Sequence, residues 1–336
     1  MKNKLSGGKQ WIVGITDFVQ PPVDIEQTAF PEAEFRFLSD WRASEENRKE
    51  WSQVDALLVW HWKTDRATAE LLDKCKIAVR YGAGYDVVDV AALTDRGIVF
   101  CNTPGCGTQE VADTTCAMIL ALQRKLVTYD RDCRTYTDRW QKVLVPIQRT
   151  SEQTLGIIGG GRIGSAVIER MRPFGYRILL YDPHLPEDGK RTLGCEQVES
   201  LAELLHEADI VSIHCPLTNE TRSMVNAAFL SQMKPGSSLV NAARGGVFAD
   251  LDCLEDALRS GHLASAAMDV LPDEPPKDHP LLRAWRQDEP WLSGRLILTP
   301  HTADYSERGW YEVHYRTAET ARMFLIEGKV RNQITA

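Results

Sequence analysis

The segment "TLGIIGGGRIG", residues 154–164, constrains the fold of this chain more than any other. A short apolar run leads into three glycines at G-x-G-x-x-G spacing, Gly159, Gly161 and Gly164, and the helix-forming stretch "RIGSAVIERMRPFG" overlaps their end. Gly159 permits a tight turn, Gly161 lets the backbone approach a pyrophosphate, and Gly164 lets helix and strand pack closely. The N–H groups at the start of the helix attract an anion. The pattern predicts a strand–turn–helix unit that binds a dinucleotide.

An acidic residue indicates which dinucleotide binds. Asp182 closes the next apolar run, "YRILLYD", 18 residues after Gly164. A carboxylate at this place accepts hydrogen bonds from both ribose hydroxyls and repels a 2′-phosphate. The sequence therefore predicts NAD rather than NADP.

Apolar runs of strand length alternate with helical stretches along both halves of the chain. The first half contains "WIVGITDF", "ALLVW" and "IAVRYG", and the second contains "ADIVSIHC", "SSLVNAAR", "ASAAMDV" and "RLILTPH". Such alternation predicts parallel sheets with crossover helices, an α/β fold. "TQEVADTTCAMILALQRK" reads as a long buried helix, and a last helix is predicted from residue 306 onward. The 336 residues are enough for two domains.

Composition excludes several classes of function. A net charge of −8 argues against general nucleic-acid binding, and no apolar run approaches the 18 residues of a membrane span. The start of the chain lacks the apolar core of a secretory signal. The eight cysteines are scattered, without metal-ligand spacing. We therefore predict a cytoplasmic protein with reduced thiols and no bound metal.

Three polar residues follow strand-like runs in the second half: Arg244 ends "SSLVNAAR", Glu274 lies beyond "ASAAMDV", and His301 follows "RLILTP". Because the carboxyl ends of parallel strands line one crevice, these side chains can converge. Arginine can bind a carboxylate and polarise the adjacent carbonyl. Histidine can donate a proton near neutral pH, and a glutamate on its other nitrogen favours the imidazolium. The set suits hydride transfer to a 2-oxo acid.

Each of these residues also has a structural interpretation. An arginine after a strand is often part of a surface ion pair, and a histidine after a proline is more often structural than catalytic. Glu274 competes with Asp273 for the role beside the histidine, and both could be solvated loop charges. Only the presence of all three residues in a chain that also carries a predicted dinucleotide site favours a catalytic role.

The motifs "RYGAGYDVVDV", "NTPGCGTQEVAD", "TLGIIGGGRIG", "MKPGSSLVNAARGGVFAD", "AAMDVLPDEPP" and "LTPH" together resemble the D-isomer-specific 2-hydroxyacid dehydrogenases over roughly residues 55–330. Within that family the chain looks most similar to the C-terminal-binding-protein branch. The resemblance implies a Rossmann NAD domain, residues 118–305, inserted in a flavodoxin-like substrate domain, residues 1–117 and 306–336. It also implies a homodimer built through the NAD domains and a cleft that closes between the two domains.

The same resemblance assigns roles to individual residues. Arg244 is expected to bind the substrate carboxylate and carbonyl, Glu274 to support the histidine, and His301 to act as the acid/base. The implied substrate contacts are Trp60, Arg80, Gly82, Ala83, Gly84 and Asp304. The implied cofactor contacts are Thr115, Gly159, Gly161, Arg162, Ile163, Gly164, Asp182, His214, Pro216, Ala243 and Asp269, the last holding the nicotinamide carboxamide.

Three features depart from the family pattern. The interval from Arg244 to Glu274 is one residue longer than usual, which bears on the glutamate assignment. The segment Lys277–Gly294, with two tryptophans, is longer than in most relatives and could cover the cleft. Asp304 stands where the resembled branch carries a tryptophan. It could cap the helix that starts near Ser306, pair with Arg80, or contact the substrate.

The predicted function is an NAD-dependent D-2-hydroxyacid dehydrogenase that runs mainly as a 2-oxo acid reductase. One alternative is an NAD(H)-sensing corepressor-like binding protein, although the chain lacks the long Pro/Ser-rich tail expected of one. The other is a dehydrogenase for a phosphonate-type or phosphite oxyanion, since Arg80 and Arg244 would suit any oxyanion.

Overall fold

The computed structural model describes residues 10–17, 19–134, 146–185 and 193–335. The chain divides into two compact units, of which the first comprises Met1–Gly107 and Ser306–Ala336 and the second Thr108–Tyr305. The second unit is thus inserted in the first. The boundary falls at Gly107 rather than at the expected residue 117, because the helix after it packs against two helices and two strands of the second unit. No helix in the described ranges is both long and apolar enough to cross a membrane.

The first unit is built on a sheet of six strands. Its five parallel strands run in the order β2-β1-β3-β4-β5, the order of flavodoxin-like folds, and β13 pairs antiparallel with β5. The strands are β1 (Trp11–Thr16), β2 (Ala33–Leu38), β3 (Ala56–Val59), β4 (Ile77–Arg80), β5 (Val99–Asn102) and β13 (Gln333–Ile334).

Helices cover both faces of this sheet. Ala56 and Leu58 of β3 belong to the apolar layer on one face, and Leu57 and Val59 to the layer on the other, so the strand reads as a continuous apolar run. The helices are α1 (Asp24–Ala29), α2 (Glu45–Gln53), α3 (Arg66–Leu71), α4 (Val90–Asp95) and, at the end of the chain, α12 (Glu307–Glu327).

The second unit has a parallel sheet of seven strands in the order β8-β7-β6-β9-β10-β11-β12. This is the strand order of dinucleotide-binding folds with one strand added, and the order reverses between β6 and β9. The strands are β6 (Thr154–Ile158), β7 (Arg177–Tyr181), β8 (Glu196–Gln197), β9 (Ile210–Ile213), β10 (Ser237–Asn241), β11 (Leu263–Met268) and β12 (Leu296–Leu298).

Helices flank this sheet on both faces as well, which confirms the predicted α/β class with two parallel sheets. The described helices are α5 (Thr108–Gln123), α6 (Leu126–Arg134), α7 (Arg162–Met171), α8 (Leu201–Glu207), α9 (Ala227–Gln232), α10 (Asp252–Arg259) and α11 (Pro280–Arg286).

The longer segment Lys277–Gly294 contains helix α11, which sequence analysis did not predict. Its side chains Leu281, Leu282 and Ala284, with Leu292 beyond the helix, are nearly inaccessible to solvent. Leu281, Ala284 and Leu292 join the apolar core of the second unit. The segment is therefore an integral part of that unit.

Candidate active site

The glycine turn has the geometry that its spacing predicts. Gly159 has φ +97°, which glycine adopts without strain, and a Cβ there would lie 2.8 Å from the backbone nitrogen of Cys215. A Cβ on Gly164 would overlap the carbonyl oxygen of Gly159. By contrast, a Cβ on Gly161 would meet nothing within 4 Å. Two glycines are therefore needed for close packing, and the third leaves the start of α7 open to a ligand.

Asp182 lies beside this turn. Its Oδ2 accepts a hydrogen bond from the N–H of Gly160 at 2.8 Å, and its Oδ1 accepts one from the N–H of His184 at 2.9 Å. The carboxylate is thereby held at the end of β7, next to the N-terminus of α7, where the first N–H groups have no acceptor within the helix. The turn, the helix start and the carboxylate fit a bound NAD, with the pyrophosphate at the helix and the adenosine ribose at Asp182.

The other predicted cofactor residues of the second unit lie around the strand ends. His214 follows β9, and its Nε2 forms a hydrogen bond of 2.8 Å with the hydroxyl of Ser212. Burial lowers the pKa of His214 to about 4, so the ring is neutral at physiological pH. The N–H of Ala243 donates to Asn241. The hydroxyl of Thr115 is buried and donates to the carbonyl of Val111 in α5. Arg162 and Ile163 begin α7, and Pro216 is exposed two residues after His214.

Asp269 organises the segment that carries His301. Its Oδ1 accepts hydrogen bonds from the Thr299 hydroxyl at 2.6 Å and the Thr302 N–H at 2.9 Å, and its Oδ2 accepts one from the Ala303 N–H at 3.0 Å. The carboxylate is only 2% exposed. The family resemblance implied only a contact of Asp269 with the nicotinamide carboxamide. The contacts with residues 299–303 were not predicted, because no local pattern links residue 269 to them.

His301 occupies the left-handed region, with φ +53°. Such a conformation is costly for a residue with a Cβ and persists only where surrounding contacts enforce it. Here the N–H of His301 donates to the carbonyl oxygens of Asp269, at 2.8 Å, and Thr299, at 3.0 Å. Strain of this kind concentrates at functional sites, which supports a functional interpretation of the histidine.

The side chain of His301 is paired with Glu274. The distance from Nδ1 of His301 to Oε2 of Glu274 is 2.6 Å, and Oε1 of Glu274 accepts a hydrogen bond from the N–H of Leu271 at 2.9 Å. The hydrogen bond to Glu274 is the main reason that the pKa of His301 is raised above its usual value, against an opposing effect of burial. Asp273 instead pairs with Lys277 at 3.1 Å. The structure thus brings Glu274 rather than Asp273 to the histidine, despite the longer interval.

Arg244 is held at the end of β10. Asn241 donates to its carbonyl oxygen at 3.0 Å, and its own Nη1 donates to the carbonyl oxygen of Ala243 at 2.8 Å. A Cβ on the next residue, Gly245, would overlap the carbonyl group of Leu271, whose N–H binds Glu274. Gly245 therefore allows the two loops to touch. The positive charge of Arg244 opposes protonation of His301 and thereby offsets part of the rise in the pKa of that histidine.

The substrate residues predicted in the first unit surround the end of β4. Arg80 is 9% exposed, and its carbonyl oxygen accepts a hydrogen bond from Thr103 at 3.0 Å. Gly82 has φ +108°, and its N–H donates to the Thr103 hydroxyl at 2.6 Å. Asn102 donates to the carbonyl oxygen of Ala83 at 2.7 Å. Asn102 and Thr103, which sequence analysis did not single out, thus fix the loop that also contains Gly84.

Trp60 follows β3 in the same unit. Its N–H donates to the Thr16 hydroxyl at 3.3 Å, and Asp17 accepts hydrogen bonds from the next two backbone N–H groups at 2.8 and 2.6 Å. The centre of the Trp60 ring lies 6.0 Å from Cζ of Arg80, within cation–π range. Trp60 and Arg80 are therefore neighbours.

Asp304 does not cap the last helix, so that interpretation was wrong. Ser306 is the N-cap of α12, because it has extended backbone angles and its hydroxyl accepts a hydrogen bond from the Gly309 N–H at 2.9 Å. Asp304 lies two residues earlier, outside the helix, and is exposed. Pairing with Arg80 and contact with the substrate remain predictions.

Comparison with known proteins agrees with these features. Residues 116–303 match the family model "D-isomer specific 2-hydroxyacid dehydrogenase, NAD binding domain". This match covers more than half of the chain. The chain belongs to the D-isomer-specific 2-hydroxyacid dehydrogenase family.

Relatives extend the likeness to most of the chain. A glyoxylate reductase of Korarchaeum cryptofilum is 39% identical over 272 residues, which are 79% of this chain and 77% of the relative. A D-3-phosphoglycerate dehydrogenase of Methanocaldococcus jannaschii is 36% identical over 73% of this chain but only 44% of its own length. The structure of a D-lactate dehydrogenase from Aquifex aeolicus with NAD and lactic acid has a TM-score of 0.84 at 28% identity, covering 96% of this chain and 99% of that chain.

The family match and the geometry agree on the cofactor. The second unit is an NAD-binding domain, and the chain is an oxidoreductase of a family that acts on CH–OH groups.

Proposed function

We propose that this enzyme reduces small 2-oxo acids to D-2-hydroxy acids, with Arg244, Glu274 and His301 as its catalytic residues. The observation that carries the proposal is the 2.6 Å contact between His301 and Glu274 in a strained loop, within electrostatic range of Arg244. A histidine whose pKa is raised by a carboxylate is a ready proton donor near neutral pH.

Each residue has a distinct task in this proposal. Glu274 accepts a hydrogen bond from Nδ1 of His301, which leaves Nε2 as the nitrogen that gives a proton to the substrate oxygen. The guanidinium of Arg244 binds the substrate carboxylate and polarises the neighbouring carbonyl. Bound NADH supplies the hydride that the carbonyl carbon accepts. Reduction then consumes one proton, which His301 donates and later recovers from water.

The proposed substrate contacts of the first unit have matching chemistry. The backbone N–H groups of Ala83 and Gly84 and the guanidinium of Arg80 are donors for a carboxylate, whereas the N–H of Gly82 donates to the Thr103 hydroxyl and holds this loop in place. Trp60 beside Arg80 would form an apolar wall. The similar proteins include a glyoxylate reductase and a D-lactate dehydrogenase. We therefore infer that the substrate is similar in size to glyoxylate, pyruvate or hydroxypyruvate.

The direct test is NADH oxidation by the purified chain with glyoxylate, hydroxypyruvate, pyruvate, longer 2-oxo acids and phosphonopyruvate. We expect turnover with at least one of the small 2-oxo acids and formation of the D-hydroxy acid. Turnover restricted to phosphonopyruvate would favour an oxyanion of another class. NADH binding without turnover of any of these acids would contradict the proposal and favour a corepressor-like binding protein.

Glu274→Gln is expected to narrow the pH range of reduction. Removal of the carboxylate takes away the main cause of the raised pKa of His301, so that pKa should fall. Reduction requires the imidazolium, which exists below the pKa, so the alkaline decline of kcat/KM should move to lower pH. Profiles of kcat/KM from pH 5 to 10 measure this shift, with Asp273→Asn as the matched control. An unchanged profile in Glu274→Gln would contradict the assigned support role.

Asp304→Asn is expected to change substrate preference rather than stability, since the residue is exposed and does not cap α12. Removing the negative charge should improve kcat/KM for 2-oxo acids with an apolar or anionic tail relative to glyoxylate, by about three- to tenfold, the effect of about 1 kcal/mol. Relative kcat/KM values across the same panel measure it, with Glu307→Gln as control. Unchanged ratios would exclude direct substrate contact.

We further infer a homodimer formed through the NAD domains and a cytoplasmic location, on the strength of the family resemblance and the scattered cysteines. Light scattering coupled to size-exclusion chromatography should give twice the 37.8 kDa chain mass, about 76 kDa. A monomer at micromolar concentration would contradict the first inference.

A further inference from the structure

A cavity of about 300 Å³ lies in the first unit, beside the carboxyl end of β1. Val19 and Pro22 from the loop after β1, Ile25 from α1 and Trp310 from α12 contribute its apolar walls. The strand order of this sheet reverses between β1 and β3, and ligands of open α/β sheets bind at the carboxyl strand ends where the order reverses. The location therefore favours a binding site, and none of the proposed catalytic residues lines it.

The polar wall of this cavity is a buried pair, Glu26 and His314. Glu26 is 1% exposed and His314 2% exposed, and Nδ1 of His314 lies 2.5 Å from Oε1 of Glu26. The same oxygen accepts a hydrogen bond from the hydroxyl of Tyr81 at 3.0 Å. Burial opposes ionisation of Glu26, but the contacts with His314 and Tyr81 outweigh it, so the pKa of Glu26 is lowered and the carboxylate is charged.

The charge on Glu26 fixes the tautomer of His314. An ionised carboxylate only accepts hydrogen bonds, so Nδ1 of His314 carries the proton. The other ring nitrogen, Nε2, is buried with no hydrogen-bond partner among residues 10–17, 19–134, 146–185 and 193–335. A buried ring nitrogen without a partner is costly, which calls for a ligand that forms a hydrogen bond with it.

The surroundings select the charge of that ligand. Asp24 adds a second carboxylate to the cavity wall, and none of its eight described lining residues is Lys or Arg. The rings of Trp310 and His314 lie 4.2 Å apart, and that of Trp60 lies 5.4 Å from both. Aromatic faces beside carboxylates attract organic cations and disfavour anions.

We propose that this cavity binds the ammonium group of a small amine, held by Glu26, Asp24 and Nε2 of His314 against the Trp310 ring. Binding of the amine does not depend on the proposed 2-oxo acid reduction. One consequence does rest on that function: Trp60 contacts both Trp310 and Arg80, so an occupied cavity should alter the KM for the 2-oxo acid.

The test uses three probes with the same four-carbon chain: n-butylamine, n-butanol and butyrate. The full chain is labelled with 5-fluorotryptophan, and its ¹⁹F spectrum is followed at pH 7.5 without substrate or NADH. The Trp310 signal is assigned from Trp310→Phe. We expect n-butylamine to shift the Trp310 signal saturably, n-butanol to bind at least tenfold more weakly, and butyrate to leave the signal unmoved.

Variants test the assigned contacts. Asp24→Asn should weaken n-butylamine binding about three- to tenfold, and Glu26→Gln at least tenfold, whereas the exposed Glu46→Gln of α2 should bind as the unmodified chain does. Because Glu26 is buried, Asp24→Asn is the deciding variant if Glu26→Gln does not fold. No saturable shift with n-butylamine, equal binding of butyrate, or unchanged binding in Asp24→Asn would overturn the proposal. These binding experiments measure no turnover, so their outcome does not depend on whether the chain reduces 2-oxo acids.

Discussion

His301→Ala is expected to lower kcat for 2-oxo acid reduction by about 10²- to 10⁴-fold, the usual contribution of a positioned acid. The side chain is one-third exposed and the backbone of the loop is held by Asp269, so the loss of the ring should leave the fold intact. Because the dinucleotide turn lies elsewhere in the second unit, NADH affinity should be unchanged.

Steady-state turnover and NADH fluorescence titration measure the two effects of His301→Ala separately. His206→Ala, at an exposed position in α8, is the matched control and should retain full activity. Equal turnover of His301→Ala and the unmodified chain would remove the histidine from the mechanism. A parallel loss of NADH binding would assign it a structural role instead.

Arg244→Lys is expected to lower kcat/KM for the 2-oxo acid by about 10²- to 10³-fold, the scale of losing one aligned donor at a developing negative charge. Lysine keeps the positive charge but not the planar pair of donors that binds a carboxylate at two points. We therefore expect a lower kcat/KM for the 2-oxo acid and an unchanged Kd for NADH.

The control for Arg244→Lys is Arg286→Lys, at an exposed position in α11. The charge of Arg244 lowers the pKa of His301, so a lysine held farther from the ring should let that pKa rise slightly. If Arg244→Lys keeps more than half of kcat/KM, the guanidinium does not bind the reacting end of the substrate.

Sequence alone predicted the parts of this enzyme that carry local signals. The G-x-G-x-x-G turn, the strand before it and Asp182 after it form one contiguous pattern, and the structure places them together. The alternating apolar runs likewise gave two parallel sheets. Strand β2 was missed although Phe35 and Phe37 alternate with polar neighbours, because it is partly exposed and carries charged residues.

The contacts that hold the site could not be predicted, because they join residues distant in sequence. Asp17 binds the backbone after Trp60, and Asp269 binds the loop around His301. Neither aspartate belongs to a pattern that includes its partner. The pairing of Glu26 with His314 spans 288 residues and depends entirely on α12 returning to the first unit.

The N-cap of α12 was expected only at Asp304, and the structure places it at Ser306. Aspartate and serine are both good caps, so residue type alone does not distinguish the two positions. The backbone decides: Tyr305 closes a turn onto Thr302, and only Ser306 then has extended angles directly before α12.

The most direct test is a crystal structure of the enzyme with NAD and oxamate, an unreactive analogue of a 2-oxo acid. We expect Nε2 of His301 within about 3 Å of the oxamate carbonyl oxygen, Arg244 donating two hydrogen bonds to its carboxylate end, and Glu274 still bound to Nδ1. A complex with both ligands bound in which His301 or Arg244 points away from the oxamate would contradict the proposed catalytic roles.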